Sequence, residues 1–100
     1  MKKYNAMYFI KKFEAIPHDK WCTQYYEEGD KKCALGHCGA NFYKENPTKK
    51  EMNSLKDLFF EHFSFPVTIV NDSLTELGDH PKERILNALY LINAMDSYVE

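Results

Sequence analysis

The sequence contains none of the short motifs that mark the common enzyme and cofactor-binding classes. It has no P-loop, no G-x-G-x-x-G, no H-E-x-x-H, no G-x-S-x-G and no cysteine spacing typical of zinc fingers. It also lacks any apolar run approaching the ~20 residues that span a bilayer, and any long apolar segment with a cleavage site near Met1. We therefore expect a cytoplasmic protein with no cofactor and no membrane association.

The sequence also lacks a strong charge of either sign. The formal net charge of the 100 residues is −2, which creates no general attraction to DNA, RNA or an anionic lipid surface. Apolar residues make up 44% of the chain and charged residues 28%, which is the balance of a folded globular protein. This length and composition predict a single globular domain over residues 1–100. We do not expect nucleic acid to be a partner, because the net charge is small.

Hydrophobic periodicity and turn residues predict an α+β domain. Apolar residues recur at helical spacing in four stretches, and a turn that contains glycine separates two β-prone arms. A β-branched run ahead of Asn71 predicts a later strand. The predicted elements are a helix over 4–16, a hairpin with arms 22–26 and 31–34, helices over 34–43 and 49–63, a strand over 67–70 and a helix over 81–97. The expected fold is a small three-stranded, mainly antiparallel sheet, formed by the hairpin plus the later strand, packed against about four helices.

The segment from Trp21 to Ala40 concentrates the unusual residues. It holds all three cysteines, the single tryptophan and three of the four glycines. An odd number of cysteines cannot form a fully paired disulfide framework, so we expect reduced thiols. Gly36 and Gly39 lie three residues apart in a predicted helix, where each glycine costs about 1 kcal/mol against alanine. We expect these glycines to permit close packing against the ring of Trp21.

Four side chains in this segment have the chemistry of zinc ligands. They are Cys22, Cys33, His37 and Cys38, and zinc prefers thiolate and imidazole ligands. Structural zinc sites usually begin with two ligands two to four residues apart, whereas here ten residues separate the first cysteine from a C-x3-H-C group. These side chains are candidate metal ligands, and burial of the cysteines as small apolar residues is the alternative.

The same segment suggests a thiol-dependent active site. Cys33 or Cys38 would be the nucleophile, His37 the base, and Asp72 or Asn71 the group that orients the imidazole. Cys33 lies just before a predicted helix, and the free amides of a helix N-terminus lower the pKa of a thiol. The catalytic candidates are therefore Cys33, His37 and Asp72, and a structural role in the core is again the alternative.

Asn71 and Asp72 are candidate binding residues because they follow the predicted strand. Functional polar groups gather at strand ends, where a carboxylate can bind a ligand, a partner or a cation. Asparagine and aspartate also form turns and helix caps by bonding nearby backbone amides. Trp21 is the third binding candidate, as an aromatic contact if its ring is exposed.

Three short motifs resemble a family of small uncharacterised domains from bacteria and their phages. The motifs are Trp21-Cys22, then Cys33-Ala34-Leu35-Gly36, then Asn71-Asp72 ahead of a closing helix. The resemblance brings no activity, substrate or catalytic residue with it. It implies an association with phage or mobile-element genomes, where small acidic domains often bind a host protein.

These features predict a small cytoplasmic binding or accessory protein that acts through a protein partner, as a monomer or a homo-oligomer. A non-enzymatic role is the primary prediction because the catalytic signals are weak. The alternative is a small thiol-dependent enzyme, or a ligand-binding or zinc-binding domain, that uses Cys33, His37 and Asp72.

Overall fold

A computed structural model describes residues 4–40 and 50–98 of the chain. This part contains five α-helices, two short 3₁₀ turns and one two-stranded antiparallel sheet, which confirms the α+β class. In chain order the elements are α1 (Ala6–Glu14), a 3₁₀ turn (His18–Lys20), β1 (Glu27–Glu28), β2 (Lys31–Lys32), α2 (Ala34–His37), α3 (Lys50–His62), α4 (Val67–Ser73), a second 3₁₀ turn (Thr75–Leu77) and α5 (Pro81–Tyr98).

The longer helices form where apolar residues repeat at helical spacing. In α1 the buried stripe consists of Ala6, Phe9, Ile10 and Phe13, as the periodicity predicts. Asn5 caps this helix by accepting a hydrogen bond from the Tyr8 amide at 2.9 Å. α1 packs against α5, which in turn packs against α4. In residues 4–40 and 50–98, no helix has both the length and the apolar content that crossing a bilayer requires.

The predicted hairpin is present but smaller than expected. β1 and β2 pair in antiparallel register with Glu27 opposite Lys32, and Gly29 turns the chain with a φ of +64°. The predicted first arm over residues 22–26 is wrong, because most of these residues form an irregular loop. At the start of the loop, Trp21 makes an isolated parallel bridge with Lys32. The sheet is therefore a short ribbon beside the helices.

α2 is a single turn that ends in a Schellman motif. The Gly39 amide donates to the Gly36 carbonyl at 2.9 Å, and the Ala40 amide donates to the Leu35 carbonyl at 3.0 Å. Gly39 has a φ of +103°, which a residue with a Cβ rarely adopts. The predicted helix over residues 34–43 is therefore too long, and residues 41–43 lie outside the described part.

Gly36 lies against the backbone of the 22–26 loop. A Cβ on Gly36 would be only 1.9 Å from the Tyr26 carbonyl oxygen and 3.1 Å from the Cβ of Lys32. The close approach expected at this glycine is real. Its neighbours, however, are a peptide group and the second strand of the hairpin.

The predicted third strand is wrong, because residues 67–73 form helix α4. The described sheet has two strands only. Val67, Val70 and Asn71 are buried, which is the spacing of a helix face and not the alternation of a strand. Valine, isoleucine and threonine reduce helix stability by at most about 0.7 kcal/mol each relative to alanine, so packing of this face against α2 and α5 outweighs their β preference.

Candidate functional site

Asn71 is the buried centre of the region that holds most of the candidate residues. Its side chain is 1% exposed, and its Oδ1 accepts a hydrogen bond from the Ala34 amide at 3.0 Å. Its Nδ2 donates to the Cys22 carbonyl at 3.0 Å and to Asp72 Oδ1 at 2.8 Å. Asn71, on α4, thus links this helix to the loop that follows Trp21 and to the start of α2.

Arg84 fixes the same region from α5. Its Nε and Nη2 donate to the Asn71 carbonyl at 3.1 and 2.8 Å, and its Nη1 donates to the Gly78 carbonyl at 3.2 Å. Arg84 is buried, and a buried guanidinium is tolerated only when its donors are satisfied. The backbone at the end of α4 is therefore held in place, and with it the position of Asp72.

A cleft of about 220 Å³ lies between α4, the 22–26 loop and the start of α2, and we call it the Asp72 cleft. It is lined by Gln24, Tyr25, Tyr26, Cys33, Thr68 and Asp72. Thr68 and Asp72 are one helical turn apart on α4 and therefore share a face. The carboxylate, amide and hydroxyl groups of this lining can all accept hydrogen bonds. The cleft is thus suited to a ligand that donates hydrogen bonds.

The loop wall of the Asp72 cleft contains a residue with unfavourable backbone geometry. Gln24 has a φ of +70°, and no other non-glycine residue in the described ranges has a positive φ. This left-handed conformation costs a residue with a Cβ about 1–2 kcal/mol. The loop is held around Gln24 by a hydrogen bond from Cys22 Sγ to the Tyr25 carbonyl at 3.4 Å. Backbone strain of this kind occurs preferentially at binding and active sites.

All three cysteine thiols are buried in the structure and have raised pKa values. Burial is the main cause for each: it raises the pKa of Cys22 to about 11, the pKa of Cys38 to about 12, and also the pKa of Cys33. Nearby carboxylates add to the effect, among them Asp72 for Cys22 and Glu51 for Cys38. A nucleophilic cysteine requires the opposite shift, so the surroundings of these thiols disfavour the thiolate.

Cys33 has a structural role that its position explains. It is the N-cap residue of α2, and its Sγ accepts a hydrogen bond from the Gly36 amide at 3.4 Å. Its own amide donates to the Tyr26 carbonyl at 3.2 Å. Cys33 therefore ties α2 to the 22–26 loop and presents only a small surface to the cleft.

His37 is engaged away from the Asp72 cleft. Its Nε2 lies 3.0 Å from the Lys20 carbonyl oxygen, and its ring packs on Trp21 with 4.7 Å between centroids. Burial lowers the pKa of His37. Of the three catalytic candidates, the structure brings Cys33 and Asp72 to one cleft, while His37 is not part of its lining.

Trp21 lies in the core. Its side chain is 4% exposed, and its ring contacts Phe13 edge-on with 5.3 Å between centroids. Its Nε1 donates to the Ile16 carbonyl at 3.4 Å. The structure therefore places Trp21 and Asn71, two of the three binding candidates, inside the protein, and Asp72 at a cleft.

The four candidate zinc ligands are not gathered around one point. Within residues 4–40 and 50–98, no three histidine, cysteine, aspartate or glutamate side chains come together as a metal site needs. Cys38 lies near Glu51 on α3, whereas the thiol of Cys22 donates a hydrogen bond within the 22–26 loop.

Large apolar side chains are exposed on α3, on α4 and in the connection between them. Phe60 on α3, Phe65 in the following connection and Ile69 on α4 are 65%, 44% and 44% exposed, and we call these three the α3–α4 apolar face. A hollow of about 280 Å³ lined in part by Phe60 shares Tyr26 and Thr68 with the Asp72 cleft. The cleft and this hollow are therefore adjacent.

A second hollow, of about 340 Å³, lies on the opposite side of α4. Its lining is apolar except for Glu76, and consists of Phe63, Phe65, Val70, Leu74, Glu76 and Leu77. Exposed apolar surface of this kind is typical of interaction sites.

No known protein family, curated protein or solved structure matches this chain.

Sequence reasoning identifies only part of the cleft. Cys33 and Asp72 are among its candidates, but Gln24 and Thr68 are not. Thr68 is four residues before Asp72, a spacing that puts both on one face once the segment is read as a helix. Gln24 has no such signal, because the residues that mark left-handed positions are glycine, asparagine and aspartate.

Proposed function

We propose that the protein is a small non-enzymatic binding or accessory protein that acts through contact with another protein. The observation that supports this proposal is the α3–α4 apolar face, whose three large side chains are 44–65% exposed. Two of them, Phe60 and Phe65, each line a hollow. Exposed apolar area costs about 25 cal/mol per Å² relative to burial. A partner that covered this face would gain that free energy, and aromatic residues such as Phe60 and Phe65 are favoured interface anchors.

The state of the thiols supports a binding role over thiol chemistry. Burial raises the pKa of Cys33, and the proposed base His37 bonds the Lys20 carbonyl. The alternative that retains specific support is ligand binding in the Asp72 cleft, which is favoured by the left-handed Gln24 in its wall.

The proposal is tested by removing the apolar face without disturbing the core. Phe60, Phe65 and Ile69 would be replaced together by serine, and Tyr90→Ser on α5 is the control, since Tyr90 is 46% exposed. Each protein is used to capture partners from a lysate of the source cells, and the captured protein is then purified and titrated against all three forms. We expect the parent and Tyr90→Ser to bind equally, and the triple variant to bind at least about tenfold more weakly.

Two results would contradict the proposal. One is a purified partner that binds the triple variant as tightly as the parent. The other is a self-association that buries the face, which native mass spectrometry would report as an integer multiple of the chain mass lost in the triple variant. In that case the apolar face would be a homo-oligomer contact.

We further propose a cytoplasmic location and an association with phage or mobile-element genomes. The motifs at Trp21-Cys22 and Asn71-Asp72 that resemble bacterial and phage domains support this origin. Finding the gene beside phage structural or replication genes would support it, and a conserved housekeeping location would contradict it.

A further inference from the structure

The Asp72 cleft offers a carboxylate and several other acceptors. Among the residues that the structure describes, none that lines the cleft is cationic, and no lysine, arginine or histidine forms an ion pair with Asp72. We infer that this cleft receives an arginine side chain of the protein partner. This inference rests on the proposed function and names the chemistry of the partner at that surface.

The carboxylate is already positioned for a cationic ligand. Asn71 Nδ2 donates to Asp72 Oδ1 at 2.8 Å, and the other carboxylate lone pairs remain available to further donors. Asn71 is itself fixed by Ala34, Cys22 and Arg84. An anchored carboxylate loses little side-chain freedom on binding, so more of the ion-pair free energy is retained.

The surrounding charges also favour a cation. The carboxylates of Glu28 and Asp72 both raise the pKa of Cys22, while Lys31 opposes them. Arg84, the buried cation that contacts Asn71, uses its donors on the Asn71 and Gly78 carbonyls. Arg84 therefore does not pair with the Asp72 carboxylate, which is the charged group in the described lining of the cleft.

The shape and lining of the cleft favour arginine over lysine. A guanidinium is planar, donates up to five hydrogen bonds and stacks on aromatic rings. Tyr25 and Tyr26 supply rings, and Asp72, Thr68 and Gln24 supply acceptors around one small volume. A lysine ammonium would meet the carboxylate but would use the flat aromatic walls less well.

The adjoining hollow indicates the neighbours of that arginine. Phe60, Pro66 and Val67 make its surface largely apolar, and it continues into the cleft through Tyr26 and Thr68. Lys56 lines this hollow and would repel a second basic residue. The partner segment should therefore present an arginine next to an apolar side chain, and not a run of basic residues.

The first experiment isolates the charge of the ligand. N-acetylarginine amide, and its neutral isostere N-acetylcitrulline amide, are titrated into the ¹⁵N-labelled full chain while amide shifts are recorded. We expect the arginine compound to shift the amides of Gln24, Cys33 and Asp72 with a Kd of about 1–10 mM, and citrulline to bind at least about fivefold more weakly. Equal binding of the two compounds, or no shifts at these amides with arginine, would overturn the inference.

Two variants tie the effect to the cleft. Asp72→Asn keeps an acceptor for Asn71 Nδ2 but removes the charge, and Asp57→Asn removes an exposed charge on α3. Arginine binding should weaken at least about fivefold in Asp72→Asn and stay unchanged in Asp57→Asn. If Asp72→Asn melts at the same temperature as the parent and still binds arginine, the Asp72 cleft is not the arginine site.

A final comparison separates a protein side chain from a free guanidinium compound. The peptides acetyl-Phe-Arg-amide and acetyl-Arg-Phe-amide are titrated beside the single amino-acid amide. If the ligand is a segment of a partner protein, one of the two peptides should bind about tenfold more tightly than arginine amide, since its phenylalanine ring enters the hollow. If neither gains affinity, the cleft is a small-molecule site and the inference fails. In that case the triple serine variant of the apolar face can still fail to bind the captured partner, so failure of this inference is distinguishable from failure of the proposed function.

Discussion

Gly36→Ala tests the packing on which the candidate site depends. By helix propensity alone, alanine should stabilise α2 by about 1 kcal/mol. In the structure, however, the added Cβ would lie 1.9 Å from the Tyr26 carbonyl oxygen, so the loop must move by about 1 Å to reach even 3.0 Å. That carbonyl accepts the hydrogen bond of the buried Cys33 amide at 3.2 Å. The substitution should therefore reverse the sign that propensity predicts.

The magnitude follows from the two contacts that are lost. Inserting a methyl group into a packed site costs about 1–3 kcal/mol, and leaving a buried amide unpaired costs about 1–3 kcal/mol more. After the helix gain is subtracted, we expect a net loss of about 3 kcal/mol. A domain of this size has a total stability of about 5–15 kcal/mol, so this loss is a large part of it. A loss of this size should lower the melting temperature by roughly 10–25 °C.

Urea unfolding followed by tryptophan fluorescence measures this loss. Trp21 is the single tryptophan and is buried, so its emission reports unfolding directly. Gly29→Ala is the matched control: a Cβ there meets nothing within 4 Å, but φ is +64°, which costs about 1 kcal/mol. A Gly36→Ala protein at least as stable as the parent would show that α2 does not rest on the Tyr26 peptide.

Three further substitutions test two contacts of the core and one at the surface. Asn71→Ala leaves the Ala34 amide and the Cys22 carbonyl unpaired and should cost about 3–5 kcal/mol in urea unfolding; a loss below about 1 kcal/mol would contradict this. Trp21→Ala removes a ring that is 4% exposed and should cost about 3–5 kcal/mol by calorimetry, whereas an unchanged melting temperature would show an exposed ring. Burial lowers the pKa of His62, but hydrogen bonds to Asp96 and to a backbone carbonyl outweigh it and raise the pKa above 6.5. The stability that the raised pKa of His62 contributes is fully present below about pH 6.5 and is lost as pH rises through the folded-state pKa. If the free energy of unfolding depends on pH equally steeply in Asp96→Asn, this explanation is refuted.

The parts of the fold that the sequence predicts well are those set by local periodicity. Phe9 and Phe13 in α1 repeat at helical spacing and are buried, because an amphipathic stripe has one natural place to go. The hairpin follows from Gly29, whose positive φ allows the tight turn. Both signals lie within a few residues of the structure that they specify.

The 67–73 segment shows where local preference misleads. Val67, Thr68, Ile69 and Val70 have high β propensity, yet a strand there would have needed a partner, and the hairpin strands are two residues long. Burial continues at Asn71, one helical turn after Val67, but a polar asparagine adds nothing to the apolar pattern, so the sequence does not reveal this continuation. Tertiary packing decided the conformation, as it commonly does for short apolar runs.

The cleft was predicted least well because its walls come from distant parts of the chain. Asp72 and Thr68 come from α4, Tyr26 from a loop more than forty residues earlier, and Cys33 from the start of α2. Their meeting depends on the Asn71 hydrogen bonds to Ala34 and Cys22. No spacing rule in the sequence describes such a contact.

The helical conformation of α4 also determines how stability and binding are related. In a strand, residues 68, 70 and 72 would share one face, which would place Val70 beside Asp72. In the helix, Asn71 points into the core and Asp72 into the cleft, although the two are adjacent and hydrogen-bonded. Substitution of Asn71 should therefore damage folding and binding together, because it removes the support of the carboxylate. Asp72→Asn should damage binding alone, since its amide oxygen can still accept the Asn71 hydrogen bond.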